Sequence, residues 1–404
     1  MTSTIIITIC ILLLIAYLFD LTAPKTRIPS VILLLLLGWI VRQISTSLHL
    51  KIPDLSGLLP LFGTIGLILI VLEGSLELKL NRSVTSLIKK SSIVALIPMV
   101  ALAFLLAYAF MYFQSGLSLR DALANAVPLC VISSSIAIPS VKYLSSYNKE
   151  FITYESSLSD IFGVVFFNFV ALNELGEVHS IPASIIQLFM MIVVSFAATI
   201  LLAFLMGKID HQIKFVPIVL LVLLIYTIAK LYHLPSLIFI LILGLFLGNL
   251  DELKRFKWIN NLKPEELKSE VIKFTDLIIE ATFLIRTAFF LLFGYMIETS
   301  EIFNPDTLIW SVSILAAALL IRAIQFKISG LKLFPMLFII PRGLINVLLF
   351  LSVVPAQQIQ FVNKSLVLQL VILSSLTMML GIMFSKKDIE LPTNVSDNST
   401  QPMH

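Results

Sequence analysis

The chain has 404 residues, of which 58% are hydrophobic and only 13% are charged, and its formal net charge is +4. Soluble domains carry about 25% charged residues, so this composition excludes a soluble globular protein. The basic residues lie in short segments between apolar runs, which gives no reason to expect a nucleic-acid partner. Because these runs are long enough to cross a hydrocarbon core about 30 Å thick, the sequence predicts an all-α polytopic membrane protein that contacts the lipid bilayer.

Apolar segments follow one another from end to end and predict about 13 transmembrane helices. They lie near 3–19, 30–48, 59–77, 91–113, 122–144, 154–174, 181–206, 214–231, 235–250, 271–297, 306–326, 333–355 and 365–384. The first segment lacks a basic flank and a small-residue cleavage site, so it is predicted to stay in the membrane. We therefore expect one transmembrane domain over 1–387 and a short polar, disordered tail over 388–404.

The longest connection, 251–270, is polar and Lys-rich and is predicted to be a solvated amphipathic connector. Its Pro264, followed by two glutamates, is typical of a helix start. Most of the 28 Lys and Arg residues lie in alternate loops and in the C-terminal tail. By the positive-inside rule these segments are cytoplasmic, so the N-terminus is predicted outside and the C-terminus inside, in a bacterial inner membrane.

The sixth segment contains "YESSLSDIFGVVFF" (154–167), which places Glu155 and Asp160 at membrane depth. Residues five apart on a helix point about 140° away from each other, so these carboxylates do not form a dyad. An ionised group at the bilayer centre costs about 2.5–3.5 kcal/mol and usually pairs or faces a cavity. A structural ion pair and a functional site remain equal alternatives for Glu155, whereas the deeper Asp160 favours a functional site.

The fifth segment, "NAVPLCVISSSIAIPSVKYL" (125–144), carries two prolines and the serines 133–135. The twelfth, "MLFIIPRGLINVLLFLSVVP" (336–355), carries Pro341, Arg342, Gly343 and Asn346. Proline breaks the helical hydrogen-bond ladder, and two interrupted spans in corresponding halves predict an inverted-repeat transporter. The alternative for the fifth segment is a kinked helix whose serines bond to their own backbone carbonyls.

Five stretches resemble the sodium/proton exchanger family of the monovalent cation:proton antiporter superfamily, and the likeness extends from about residue 5 to 385. The stretches are "TRIPSVILLLLLGWIVR" (26–42), "GLILIVLEGSLELKL" (66–80), "ESSLSDIFGVVFF" (155–167), "FLIRTAFFLLFGYMIE" (283–298) and "PRGLINVLLFLSVVP" (341–355). The resemblance implies the inverted-repeat antiporter fold, with interrupted helices in spans five and twelve. It also implies a homodimer.

The resemblance also assigns roles to single residues. Asp160 matches the family's aspartate that binds the ion and carries the proton, and Glu155 matches the glutamate that pairs with an arginine, here Arg322. Ser159 stands where electroneutral members have Asn and electrogenic members have Asp. The serines 133–135 stand where many members have a Thr-Asp pair, so this chain departs from the family at that point.

The expected site has three parts. The ion and proton site, with Na⁺ or K⁺ at Asp160, consists of Asp160, Ser159, Ser133, Ser134 and Ser135. The structural ion pair consists of Glu155 and Arg322, and the supporting intramembrane charges are Arg342, Glu73 and Arg286. Serine hydroxyls and the open carbonyls of the interrupted spans are expected to complete an oxygen cage. The Cys and His residues lack ligand spacing, so neither a cofactor nor another metal is expected.

The expected function is secondary active exchange of Na⁺ or K⁺ for H⁺ by alternating access, electroneutral at one cation per proton. A cation channel on the same scaffold is an alternative, although no repeated filter motif is present. A transport-silent sensor is another alternative and depends on the missing Asp of span five. An enzyme is not expected, because the spans contain no nucleophile–base or metal-ligand pairs.

Overall fold

The computed structural model describes residues 2–26, 28–49, 55, 57–78, 80, 85–141, 144–171, 181–208, 211, 214–231, 236–253 and 264–384. The predicted tail 388–404 lies outside these residues. The regular secondary structure of the described part is helical. The helices are α1 Thr2–Thr26, α2 Ser30–Ser47, α3 Leu58–Glu77, α4 Thr85–Phe113, α5 Leu119–Cys130, α6 Ser134–Ser140, α7 Ser146–Ala171, α8 Ile181–Lys208, α9 Phe215–Leu231, α10 Ser236–Gly248, α11 Leu250–Leu253, α12 Pro264–Tyr295, α13 Thr299–Ile302, α14 Pro305–Ile328, α15 Leu344–Leu351 and α16 Lys364–Met383.

The all-helical class and both interruptions are confirmed. The fifth span is divided into α5 and α6 by a non-helical segment, 131–133. The twelfth consists of a 3-10 turn, Met336–Phe338, a non-helical stretch and the short helix α15. Seven helices of the described part are long and apolar enough to cross a membrane, and four shorter apolar helices accompany them, so the total of 13 stays a prediction. The helix α12 starts at Pro264, inside the predicted connector.

One group of helices, α2, α3, α8, α10 and α12, packs together and is called the scaffold bundle here. Glycines permit its closest crossings. A Cβ on Gly38 of α2 would meet the backbone of α12, and one on Gly294 of α12 would meet the backbone of α2. Likewise Gly244 and Gly248 of α10 face backbone oxygens of α3. Small residues at such contacts let membrane helices approach until their backbones touch.

A second group, α4–α7 with α14–α16, packs around the two interrupted spans and is called the exchange bundle here. Its helix α4 contacts α5, α7 and α14, and α14 contacts α16. The short helix α15 reaches the scaffold bundle at α3, where Leu344 and Leu348 lie beside Gly66 and Gly63. The interruptions therefore lie inside the exchange bundle, close to its border with the scaffold.

Candidate functional site

The two interrupted spans cross where each lacks helical hydrogen bonds. The amide of Ser133 donates to the carbonyl oxygen of Pro341 at 2.9 Å, which ties one interruption to the other. Both segments are buried. Because an unpaired buried amide costs about 1–3 kcal/mol, the other polar groups of these segments also need partners.

Asp160 lies on α7 beside the first residue of α6 and is 5% exposed. Its Oδ2 accepts hydrogen bonds from both the backbone amide, at 3.2 Å, and the hydroxyl of Ser134. Its Oδ1 is buried and has no hydrogen-bond partner among the described residues. One carboxylate oxygen is therefore held in place, and the other remains free to accept a proton or a cation.

Within the described residues, the hydroxyls of the other three predicted serines bond to groups other than Asp160. Ser159 Oγ accepts the amide of Ile132 at 2.9 Å, so it supports the non-helical segment of span five. The hydroxyls of Ser133 and Ser135 lie 2.9 Å from each other. The structure thus brings all five predicted ion-site residues together, with Ser134 as the direct partner of Asp160.

Glu155 and Arg322 form the expected ion pair, and both are buried. Two bonds join them, between Nη1 and Oε1 and between Nη2 and Oε2, the second at 2.8 Å. The guanidinium also donates to the carbonyl oxygen of Met336, and it lies 4.5 Å from the ring centroid of Phe326. This bidentate geometry uses both carboxylate oxygens of Glu155, so Glu155 is not available as a ligand.

Arg342 is buried, but the described residues contain no ion pair between it and Asp160. Its Nε donates to the carbonyl oxygen of Leu129 at 2.9 Å, and its Nη1 donates to that of Ile340 at 3.2 Å. Leu129 belongs to the last turn of α5, where the helix dipole is negative. The positive charge of Arg342 therefore compensates the end of a broken helix.

Asn346 lies in the twelfth span, and the sequence analysis did not assign it to the site. Its amide donates to the carbonyl oxygens of Pro128 and Val131, both at 2.8 Å, while its Oδ1 accepts the amide of Gly343 at 2.7 Å. Three carbonyls at the interruption of span five, those of Pro128, Leu129 and Val131, thus each accept a hydrogen bond from Asn346 or Arg342. The predicted oxygen cage of open carbonyls stays a prediction. A polar residue in an apolar run just after Pro-Arg-Gly was the available signal.

Glu73 and Arg286 lie in a different group of charges. Arg286 Nη2 is 3.8 Å from Asp20 Oδ1, which also accepts the hydroxyl of Ser30 at 3.1 Å. Glu73 lies on α3, which packs against α12, the helix of Arg286. No hydrogen bond or ion pair within the described residues joins this group to Asp160, so the structure separates these two predicted charges from the carboxylate.

A narrow crevice approaches the serines from the border between the two bundles. It is lined by Ser30 from α2 and by Ser135, Pro139 and Ser140 from α6. Asp20, Arg286 and Asp160 are not among the residues that line it.

A family model described as "Sodium/hydrogen exchanger, transmembrane" matches residues 10–386 of this chain. The chain belongs to this family. Membership of this family supports cation:proton antiport as the activity of this chain. The family consists of integral membrane transporters, not enzymes.

Solved structures agree with this family in fold. The sodium proton antiporter MjNhaP1 from Methanocaldococcus jannaschii at pH 8 matches with a TM-score of 0.66 and 18% identity, over 95% of this chain and 96% of that chain. A structure of the same antiporter from an electron-microscopy map matches with a TM-score of 0.64 and 19% identity, over 95% of each chain. A search of curated proteins found no match.

Proposed function

We propose that this chain exchanges one Na⁺ or K⁺ for one H⁺ and that the two ions compete for Asp160. The observation that carries the proposal is the free, buried Oδ1 of Asp160 beside a fully bonded Oδ2. A carboxylate binds either a proton or a hard cation, but not both at full strength, because each ion neutralises the same charge. Competition at one group is therefore sufficient to couple the two fluxes.

The proposed stoichiometry depends on the buried charged residues that the structure describes in the exchange bundle. Glu155 is tied to Arg322 through both carboxylate oxygens, and Arg342 is an arginine, which stays charged at any working pH. Asp160 is then the group that changes its protonation state during the cycle. One proton in one direction and one monovalent cation in the other give an electroneutral exchange.

Alternating access completes the proposal. The exchange bundle moves against the scaffold bundle and carries a neutralised Asp160 from one side of the membrane to the other, as inverted-repeat transporters do. The chain works as a homodimer in a bacterial inner membrane, with the N-terminus outside and the C-terminus in the cytoplasm. The lysine-rich and arginine-rich loops support this orientation.

The proposal is tested by dissipation of a pH gradient in proteoliposomes, with Na⁺, K⁺ and Li⁺ added in turn. We expect saturable, cation-dependent proton movement for the wild type and none for Asp160→Asn, which keeps the shape but cannot exchange a proton. Asp306→Asn is the matched control, since Asp306 is an exposed carboxylate in the first turn of α14. Normal exchange by a folded Asp160→Asn protein would overturn the assignment, and flux that does not saturate would indicate a channel.

A further inference from the structure

We propose that Asn346 is a positioning residue of the exchange site, which holds the non-helical segment of span five so that Ser134 faces Asp160. The inference rests on the proposed function, because it assigns Asn346 to the same ion site. Asn346 is 1% exposed and lies on α15, so it belongs to the other interrupted span.

The hydrogen bonds of Asn346 cover the beginning of the interruption. Its amide bonds Pro128 O, in the last turn of α5, and Val131 O, the first non-helical residue, each at 2.8 Å. These two bonds fix the direction in which the chain leaves α5. Its Oδ1 accepts from Gly343 at 2.7 Å, so the same side chain also caps α15.

The next three backbone amides each have a different acceptor. Ile132 donates to Ser159, Ser133 donates to Pro341, and Ser134 donates to Asp160. The segment is extended here and has no helical ladder to keep its register. The two hydrogen bonds from Asn346 to Pro128 and Val131, called the clamp here, hold the start of this segment. They therefore determine whether the amide and hydroxyl of Ser134 reach Asp160.

Asn346→Asp separates the bonds to Pro128 and Val131 from the bond that caps α15, and Asn346→Ser is a second variant. Asn346→Asp keeps an oxygen that accepts from Gly343 but replaces both N–H donors by an oxygen that faces two carbonyls. Asn346→Ser is too short to reach both carbonyls and leaves room for water, so it is the milder variant if the aspartate does not fold. If capping of α15 were the role of Asn346, the aspartate would behave like the wild type.

Asn125 supplies the matched control on α5. It is also buried, its amide also donates to two carbonyls, Asp121 at 2.8 Å and Gln357 at 2.7 Å, and its Oδ1 accepts Ile359 at 3.3 Å. Asn125→Asp therefore makes the same chemical change away from the interruption. Loss of stability alone is expected in this variant.

The first measurement is the KM and kcat for Na⁺ in proteoliposomes. We expect both Asn346 variants to raise KM at least tenfold, because Asp160 loses its aligned partner, while kcat changes less. Asn125→Asp should leave KM within twofold of the wild type. An equal KM shift in Asn125→Asp, or a wild-type KM in the Asn346 variants, would overturn the inference.

The second measurement does not depend on transport. Hydrogen exchange of the amides of Ile132, Ser133 and Ser134, followed by mass spectrometry, should become at least tenfold faster in the Asn346 variants and stay unchanged in Asn125→Asp. Unchanged protection in the Asn346 variants would disprove the clamp. If the wild type moves neither Na⁺ nor K⁺, the proposed function fails, and the exchange of these amides alone decides whether Asn346 positions the segment.

Discussion

Two carboxylates on one helix have different surroundings in this protein. Glu155 and Asp160 are both buried on α7, yet Glu155 uses both oxygens on Arg322, whereas Asp160 keeps one oxygen without a partner. Their spacing already predicts that they point in different directions. A fixed charge pair and a free acceptor can therefore coexist on one helix without competing.

The buried pair gives the first prediction. We expect Glu155→Ala and Arg322→Ala each to lower the free energy of unfolding by about 3–5 kcal/mol, because each leaves an uncompensated buried charge. Thermal unfolding of the purified protein measures this. Lys268→Ala is the control, since its ion pair with Asp251 is about half exposed and such pairs contribute about 0–1 kcal/mol. Control-like stability with only a changed Na⁺ affinity would place the pair in the ion site instead.

At this scale the resemblance to the exchanger family, and not spacing or charge alone, paired Glu155 with Arg322 and grouped the serines 133–135 with Asp160. Spacing alone predicted that the two carboxylates point in different directions. Neither found the partners of Arg342 and Asn346, since these are backbone carbonyls. Every residue has a carbonyl, so only the register of the two crossing spans determines which one is within reach.

At the scale of elements, the crossing of the interrupted spans requires a residue without a side chain. A Cβ on Gly343 would lie 2.6 Å from Ser133 Oγ and 2.8 Å from Ile136 Cδ1. The sequence indicated a break at Pro341, but not how closely α6 approaches it. The two interrupted spans also differ in structure. The helices α5 and α6 flank the interruption of span five, whereas a 3-10 turn precedes the interruption of span twelve.

Gly343→Ala is therefore expected to push the two interrupted spans apart. We expect a loss of about 1–3 kcal/mol in the free energy of unfolding, typical of overpacking, and at least a tenfold loss of Na⁺-dependent exchange. Stability is measured by thermal unfolding and exchange by pH-gradient dissipation. Gly57→Ala is the control, because an added Cβ there meets nothing within 4 Å. Equal behaviour of the two variants would show that the crossing tolerates a side chain.

At the scale of the whole molecule, the charges described above lie in two separate groups. The exchange bundle contains Asp160, Arg342 and the Glu155–Arg322 pair, whereas the Asp20–Arg286 group lies on α1 and α12. The apolar segments predicted most of these helices within a few residues of their observed ends. They did not predict the bundles, because which helix packs on which depends on close crossings such as Gly38 on α12.

The last prediction concerns voltage. In the proposed cycle Asp160 crosses the membrane neutralised in both directions, once by a proton and once by a cation, while Arg342 and the ion pair cross with it each time. The fixed charges cancel over a full cycle, so no net charge moves. An imposed potential then does no work on the exchange, although it acts on any single step that carries Arg342.

The decisive quantity is therefore the point of zero net flux, not the rate of one step. We set opposing Na⁺ and H⁺ gradients across proteoliposomes and clamp the potential with K⁺ and valinomycin, with Asp160→Asn proteoliposomes as the leak control. We expect zero flux when the two concentration ratios are equal, at every potential. One uncompensated charge per cycle would be worth about 2.3 kcal/mol per 100 mV, which displaces the balancing Na⁺ ratio about fiftyfold. A displacement of that size would require a second titrating group, and Glu73→Gln would then test the predicted intramembrane carboxylate that belongs neither to the ion site nor to the Glu155–Arg322 pair.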